Sequence, residues 1–151
     1  MRWWLHEWFW LGLGLVFAAA DQVVKAVIMA RQPVIEGFLT IRPVLNTGAS
    51  FGLLQDSNTL LAWVGIIVLG AFTLYYPRLK PAVRRWGLLV MGGVVSNVID
   101  RLARGAVVDY LDLGWWPVFN GADAMIVVGV AALIVVAWRD REAFDLLPKK
   151  D

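Results

Sequence analysis

Asp109 and Asp123 are the residues of this chain best suited to acid–base chemistry. Two carboxylates held close together share one proton, because both cannot ionise comfortably at short range. One member of such a pair draws a proton from water while the other protonates a carbonyl or a leaving amine. The pair then titrates as a unit, so its proton belongs to neither acid alone. Asp109 lies in the apolar, β-prone run Val107-Val108-Asp109-Tyr110, where nothing local accounts for an acid. Asp123 closes Phe119-Asn120-Gly121-Ala122-Asp123 and has a local explanation too, because Asn120 as helix N-cap with Asp123 three residues on makes a capping box. Asp112 is the spare acid.

Other polar groups stand where they could support such a pair. Asp21 and Lys25 are four residues apart on one helical face, and an ion pair that tolerates its own burial explains them as readily as a bracing role does. Asn46-Thr47-Gly48-Ala49-Ser50-Phe51 reads as a turn, with Asn46 free to offer an amide to a peptide. Gly93, Asn97, Asp100, Arg101 and Arg104 recur at spacings of three and four, forming one polar stripe. Small residues there, Ser96 among them, equally suit close helix packing in a membrane, and Asp100 next to Arg101 is placed to pair or cap. His6, in a Trp-rich stretch, reads as an interfacial residue.

These residues are carried between segments oily enough for a bilayer. The 151 residues are 60% hydrophobic and 17% charged, with nine Trp, well above the apolar share of a soluble domain. A helix needs about 20 apolar residues to cross the hydrocarbon, and spans are expected over about 8–30, 59–76, 83–102 and 122–138. The apolar N-terminal stretch ending Ala18-Ala19-Ala20 resembles a signal peptide, but Arg2 is offset by Glu7, and it is read as the first span. The fold class expected is an all-α polytopic membrane protein, a single membrane domain over 1–151. A small extracytoplasmic β-sheet is expected between helices 1 and 2, a hairpin or short antiparallel sheet near Val34–Leu45. The Leu146–Asp151 tail reads as frayed.

Charge sets the orientation. Arg2, Arg78, Lys80, Arg84, Arg85, Arg139, Arg141, Lys149 and Lys150 fall on the side of the termini, against Arg31, Arg42, Arg101 and Arg104 on the other. By the positive-inside rule the termini and the loop 77–82 face the cytoplasm, and 31–58 and 103–121 lie outside. The polar clusters then gather near the outer face.

Composition narrows the chemistry. Without cysteine there are no disulfides, thiolate metal sites or cysteine nucleophiles. No H-E-x-x-H motif supports a zinc peptidase; no metal or cofactor is expected, and no basic patch with interleaved aromatics suggests nucleic acid. A Ser–Lys nucleophile would need Ser50, Ser57 or Ser96 to meet Lys25, a pairing no motif supports. A small ion or proton transporter using intramembrane Asp, Lys and Arg is the alternative from another class.

Five blocks together resemble the bacterial lipoprotein signal peptidases, the type II signal peptidases: Asp21-Gln22-x-x-Lys25, Asn46-x-Gly48-x-x-Phe51, Asn97-x-x-Asp100-Arg101, Val107-Val108-Asp109-Tyr110 and Phe119-Asn120-x-Ala122-Asp123. The resemblance covers roughly Gly12 to Trp138. It implies an intramembrane aspartyl endopeptidase of the bacterial inner membrane, with Asp109 and Asp123 as the catalytic dyad. It also implies four helices and a small sheet cradling a diacylglyceryl-modified prolipoprotein, which is cut before its lipid-modified cysteine. Asn46, Asn97, Arg101 and Asn120 match positions that line or support the site, and Asp21, Lys25 and Asp100 match its polar supports. Expected partners are that substrate and membrane lipids, with the enzyme a monomer. Ser96 stands where the family usually has Gly and Tyr110 where it usually has Phe, and the Trp115-Trp116-Pro117 loop is short.

Overall fold

The computed structural model describes residues 3–48, 57–141 and 143–144, with side chains from Glu7 onward. The expectations for the side chain of His6, for Ser50 and Phe51 and for the 146–151 tail fall outside these described residues.

Apolar runs uninterrupted by helix breakers give four long helices. They are α1 (Trp3–Arg31), α2 (Asn58–Tyr75), α3 (Pro81–Arg104) and α4 (Gly121–Arg139). All four are long and apolar enough to cross a membrane. Each begins or ends within a few residues of the span expected, except that α1 starts earlier. A single 3₁₀ turn over Tyr76–Arg78 links α2 to Pro81, which sits in the first turn of α3, where its missing N–H costs nothing.

α3 is the central helix, packing against α1, α2 and α4, and it holds most of the buried helical residues. Its glycines set those approaches. A Cβ on Gly93 would fall 2.5 Å from the carbonyl oxygen of Ala122, and one on Gly92 would fall 2.6 Å from that of Gly14. The outward faces of the other helices are apolar, with Trp63, Ile67, Val127 and Ile134 well exposed. A bilayer accepts those faces, whereas water would not.

A two-stranded antiparallel sheet caps one end of the bundle: β1 (Thr40–Asn46) pairs with β2 (Val107–Asp112). The segment between α1 and α2 therefore supplies one strand, and its partner comes from the segment between α3 and α4. Within the expected Val34–Leu45 hairpin only the isolated bridge Ile35–Ile41 forms. The chain leaves α3 through Gly105, whose φ of 74° suits a residue without a Cβ at a helix C-terminus. It then runs straight into β2. Val108 and Tyr110 turn one face of that strand onto Ile28 of α1, so Asp109 faces the other way.

The register of the sheet is interrupted between Ile41 and Val44, opposite Leu111 and Asp109. Arg42 and Pro43 there oppose Tyr110 alone, the two-against-one count of a β-bulge, and Pro43 has no N–H to give to a ladder. Tyr110 N–H instead donates to the carbonyl of Phe119 at 3.0 Å, and Leu111 N–H donates to the same oxygen at 2.8 Å. The chain before α4 is thereby zipped to the free side of β2, which delivers Asn120 beside Asp109.

Candidate active site

Asp109 comes from the middle of β2 and Asp123 from the first turn of α4. Asn120 joins them. Its Nδ2 donates to Asp109 Oδ1 at 2.7 Å while its Oδ1 accepts from the backbone N–H of Asp123 at 2.9 Å. Asp123 Oδ2 returns the cap by accepting from the Asn120 N–H at 3.3 Å, which completes the capping box. The local explanation of Asp123 is therefore correct, yet it uses only one carboxylate oxygen. The other, Oδ1, accepts from Asn97 Nδ2 at 2.7 Å.

Asp109 Oδ2 accepts from Asn46 Nδ2 at 2.9 Å. Each of the four carboxylate oxygens thus receives one N–H donor, three from asparagine side chains and one from the backbone. Donors of this kind favour the charged form of a carboxylate. Burial works against them: Asp109 is 1% exposed. Desolvation dominates, opposed by Asn46 and reinforced by the nearby Asp123, and lifts Asp109 from the usual carboxylate range to about 6. An acid so poised ionises close to neutral pH, where proton transfer is most useful.

Beneath this layer lies a second polar cluster, and it holds Asp21, Lys25 and Asp100. Lys25 is 0% exposed, with Nζ 2.7 Å from Asp21 Oδ2 and 2.8 Å from Asp100 Oδ2. Asp100 also pairs with Arg104, one turn further along α3, and accepts from the Val108 N–H at 3.2 Å. The buried Asp21, Lys25 and Asp100 are thereby charge-balanced with the help of the partly exposed Arg104, an arrangement from which removing the buried Lys25 costs about 3–5 kcal/mol. The expected pairing of Asp100 with Arg101 is not what forms. Successive helical residues point about 100° apart, so Asp100 turns inward to Lys25. Arg101 turns toward the turn after β1, with Nη2 3.4 Å from the Gly48 carbonyl and a buried Nε that has no partner.

Three further residues join the site. Gln22, quoted only as part of a motif, donates to Asp100 Oδ1 and to Ser96 Oγ, each at 3.0 Å. Ser96 donates to Asp21 Oδ2 at 2.7 Å and is fully buried, so its hydroxyl is occupied and shielded despite lying 3.5 Å from Lys25 Nζ. That is a structural contact, and it does not favour a Ser–Lys nucleophile. Tyr110 OH donates to Asp21 Oδ1 at 3.0 Å and accepts from the Gly121 N–H at 3.1 Å. Burial and the adjacent Asp21 push its phenol up, so it stays a neutral donor. Asp112 remains apart, bound to Arg42 at 2.7 Å on the surface, with its carboxyl held low first by the Gly114 N–H and then by Arg42.

Among the described residues, no three His, Cys, Asp or Glu side chains are grouped to hold a metal ion. The polar side chains of both layers belong to one continuous network spanning α1, β1, α3, β2 and α4, and α2 adds Asn58, which donates to the Arg101 carbonyl at 3.1 Å.

The chain is similar to known proteins over most of its length. The family model for signal peptidase (SPase) II matches residues 13–139. The lipoprotein signal peptidase of Moorella thermoacetica is 41% identical over 137 residues, covering 84% of this chain and 89% of that relative. That of Halothermothrix orenii is 35% identical over 139 residues, covering 87% and 96%. A solved bacterial membrane enzyme, determined by the in meso method at 2.3 Å resolution, is 27% identical with a TM-score of 0.79, covering 95% of this chain and 93% of its own. Nothing in these likenesses supports a transporter.

Proposed function

The chain belongs to the signal peptidase II family, and from that premise we propose that it is an aspartyl endopeptidase that removes signal peptides from diacylglyceryl-modified prolipoproteins. Asp109 and Asp123 are its catalytic dyad, and the cut falls before the lipid-modified cysteine. The observation that carries this reading is the single amide of Asn120 bridging the two acids, with every carboxylate oxygen supplied by an N–H donor.

The chemistry follows from one shared proton. The ionised carboxylate draws a proton from a water molecule, whose oxygen forms a bond to the scissile carbonyl carbon. The protonated partner gives its proton to the carbonyl oxygen. Collapse of the tetrahedral intermediate breaks the C–N bond: the proton gained from water passes to the leaving amine, and one hydroxyl of the gem-diol returns its proton to the other carboxylate as the C=O re-forms. The pair ends with one proton, as it began. Asn97, Asn46 and Asn120 hold the carboxylates, and Arg101, with donors to spare, is placed to meet the substrate main chain. Asp21, Lys25 and Asp100 form the charge-balanced floor.

A lipid-modified substrate suits a site at the end of a bundle of spans, since its acyl chains stay in the bilayer while the peptide reaches the acids. Trp115 and Trp116, stacked edge-on at 5.8 Å beyond β2, fit an interfacial belt that touches membrane lipids. The excess of Lys and Arg on the side of the termini supports cytoplasmic termini and an extracytoplasmic site, and the enzyme is proposed to be a monomer of the inner membrane. A gel-shift assay tests the substrate class: the diacylglyceryl-modified prolipoprotein is cut and its unmodified form is not. Equal cleavage of both would overturn that specificity.

A further inference from the structure

Asn46, Asn97 and Asn120 each turn an amide nitrogen toward an acid, and in each the amide oxygen is held by a group that only donates. The Gly48 N–H donates to Asn46 Oδ1 at 3.0 Å, and the Asp123 N–H to Asn120 Oδ1 at 2.9 Å. Lys25 Nζ donates to Asn97 Oδ1 at 2.9 Å, the shorter of two bonds to that oxygen, the other coming from Asn120 Nδ2 at 3.2 Å. Neither an ammonium nor a peptide N–H accepts a hydrogen bond, so none of these amides tolerates being turned round. Their Nδ2 groups are thereby aimed at Asp109 Oδ2, Asp123 Oδ1 and Asp109 Oδ1.

Two of the three pins are main-chain groups that come with a local turn and a helix cap. The third is a side chain brought in from α1, 72 residues away in sequence. An ammonium has three hydrogens. Lys25 directs one to Asp21 and one to Asp100, and these suffice to balance charge. The remaining donor goes to Asn97, with Ser96 Oγ further off at 3.5 Å.

We infer that Lys25 is a positioning residue for the reaction: by holding Asn97 Oδ1 it fixes that amide with its nitrogen toward Asp123. Turned round, Asn97 would face Asp123 with an oxygen, and two acceptors in contact favour the protonated acid. The charged groups around this contact are Asp21 on α1, Asp100, Arg101 and Arg104 on α3, Asp109 on β2 and Asp123 on α4.

The inference rests on Asp109 and Asp123 being the acting pair, and its test is the pH profile of kcat and KM for cleavage of a modified prolipoprotein. Lys25→Met is compared with the double variant Asp21→Asn/Lys25→Met, which removes one charge of each sign and so leaves the net local charge unchanged. In both, the acid limb of the kcat profile moves up by about one pH unit, kcat at pH 6 falls about tenfold and KM changes little. Ser96→Ala and Asp21→Asn alone, which disturb the same network without touching the Lys25–Asn97 contact, do not move the limb upward. An unmoved limb in the Lys25 variants, or failure of both to fold, overturns the inference and leaves Lys25 as scaffold. If Asp123→Asn keeps full activity, the dyad reading fails instead, and the two failures are distinguishable.

Discussion

Asn120 donates its amide to Asp109 from the N-cap of the helix that carries Asp123, at 2.7 Å. One residue therefore starts α4 and fixes the spacing of the two acids, so the geometry of the pair is as stable as the helix end itself. Asn120→Ala loses the cap, at about 1 kcal/mol, together with the donor to Asp109. Asn120→Ser keeps an N-cap oxygen but has no donor that reaches Asp109. Thermal melts in detergent are expected to place the Ser variant above the Ala variant, with cleavage lost at least tenfold in both.

Asp109 makes stability depend on pH. With its carboxyl lifted to about 6, the folded protein keeps a proton between about pH 4 and 6 that the unfolded chain has released. The contribution is fully present below about pH 4, is lost as pH rises through about 6, and is flat above that. Its size is about 3 kcal/mol. Denaturation midpoints measured across pH 4 to 7 should fall over this window, and Asp109→Asn should remove that part of the slope.

Tyr110 ties Asp21 to the first turn of α4 through its hydroxyl. Tyr110→Phe removes both bonds and leaves the buried polar groups to find other partners, at a cost of about 1–3 kcal/mol. Cleavage is expected within a few-fold of the parent protein, because the hydroxyl touches neither acid. A loss of activity greater than the loss of folded protein would show a more direct role.

Much of this arrangement was legible in the sequence, and the rest failed for a physical reason. Apolar length located the long helices, and spacing on α3 put Asn97 and Asp100 on one stripe, because both signals are local. The pairing of Asp100 was not local. Adjacent Arg101 was the evident partner on paper, whereas Lys25 arrives from another helix, a contact that only packing through Gly92 and Gly14 brings about. The same holds for β1. Its β-prone residues announced a strand, but its partner lies beyond two spans, and the bulge at Arg42-Pro43 that hands Tyr110 to Phe119 depends on both strands being present. Asn120 was readable as a cap and not as a bridge, because one of its atoms serves the helix and another serves Asp109.

The central claim is that Asp109 and Asp123 together cleave the substrate. The most direct measurement is turnover of a diacylglyceryl-modified prolipoprotein by purified Asp109→Asn and Asp123→Asn variants, each shown to be inserted and folded. The account predicts no detectable cleaved product from either. Cleavage by either variant at the rate of the parent protein would contradict it.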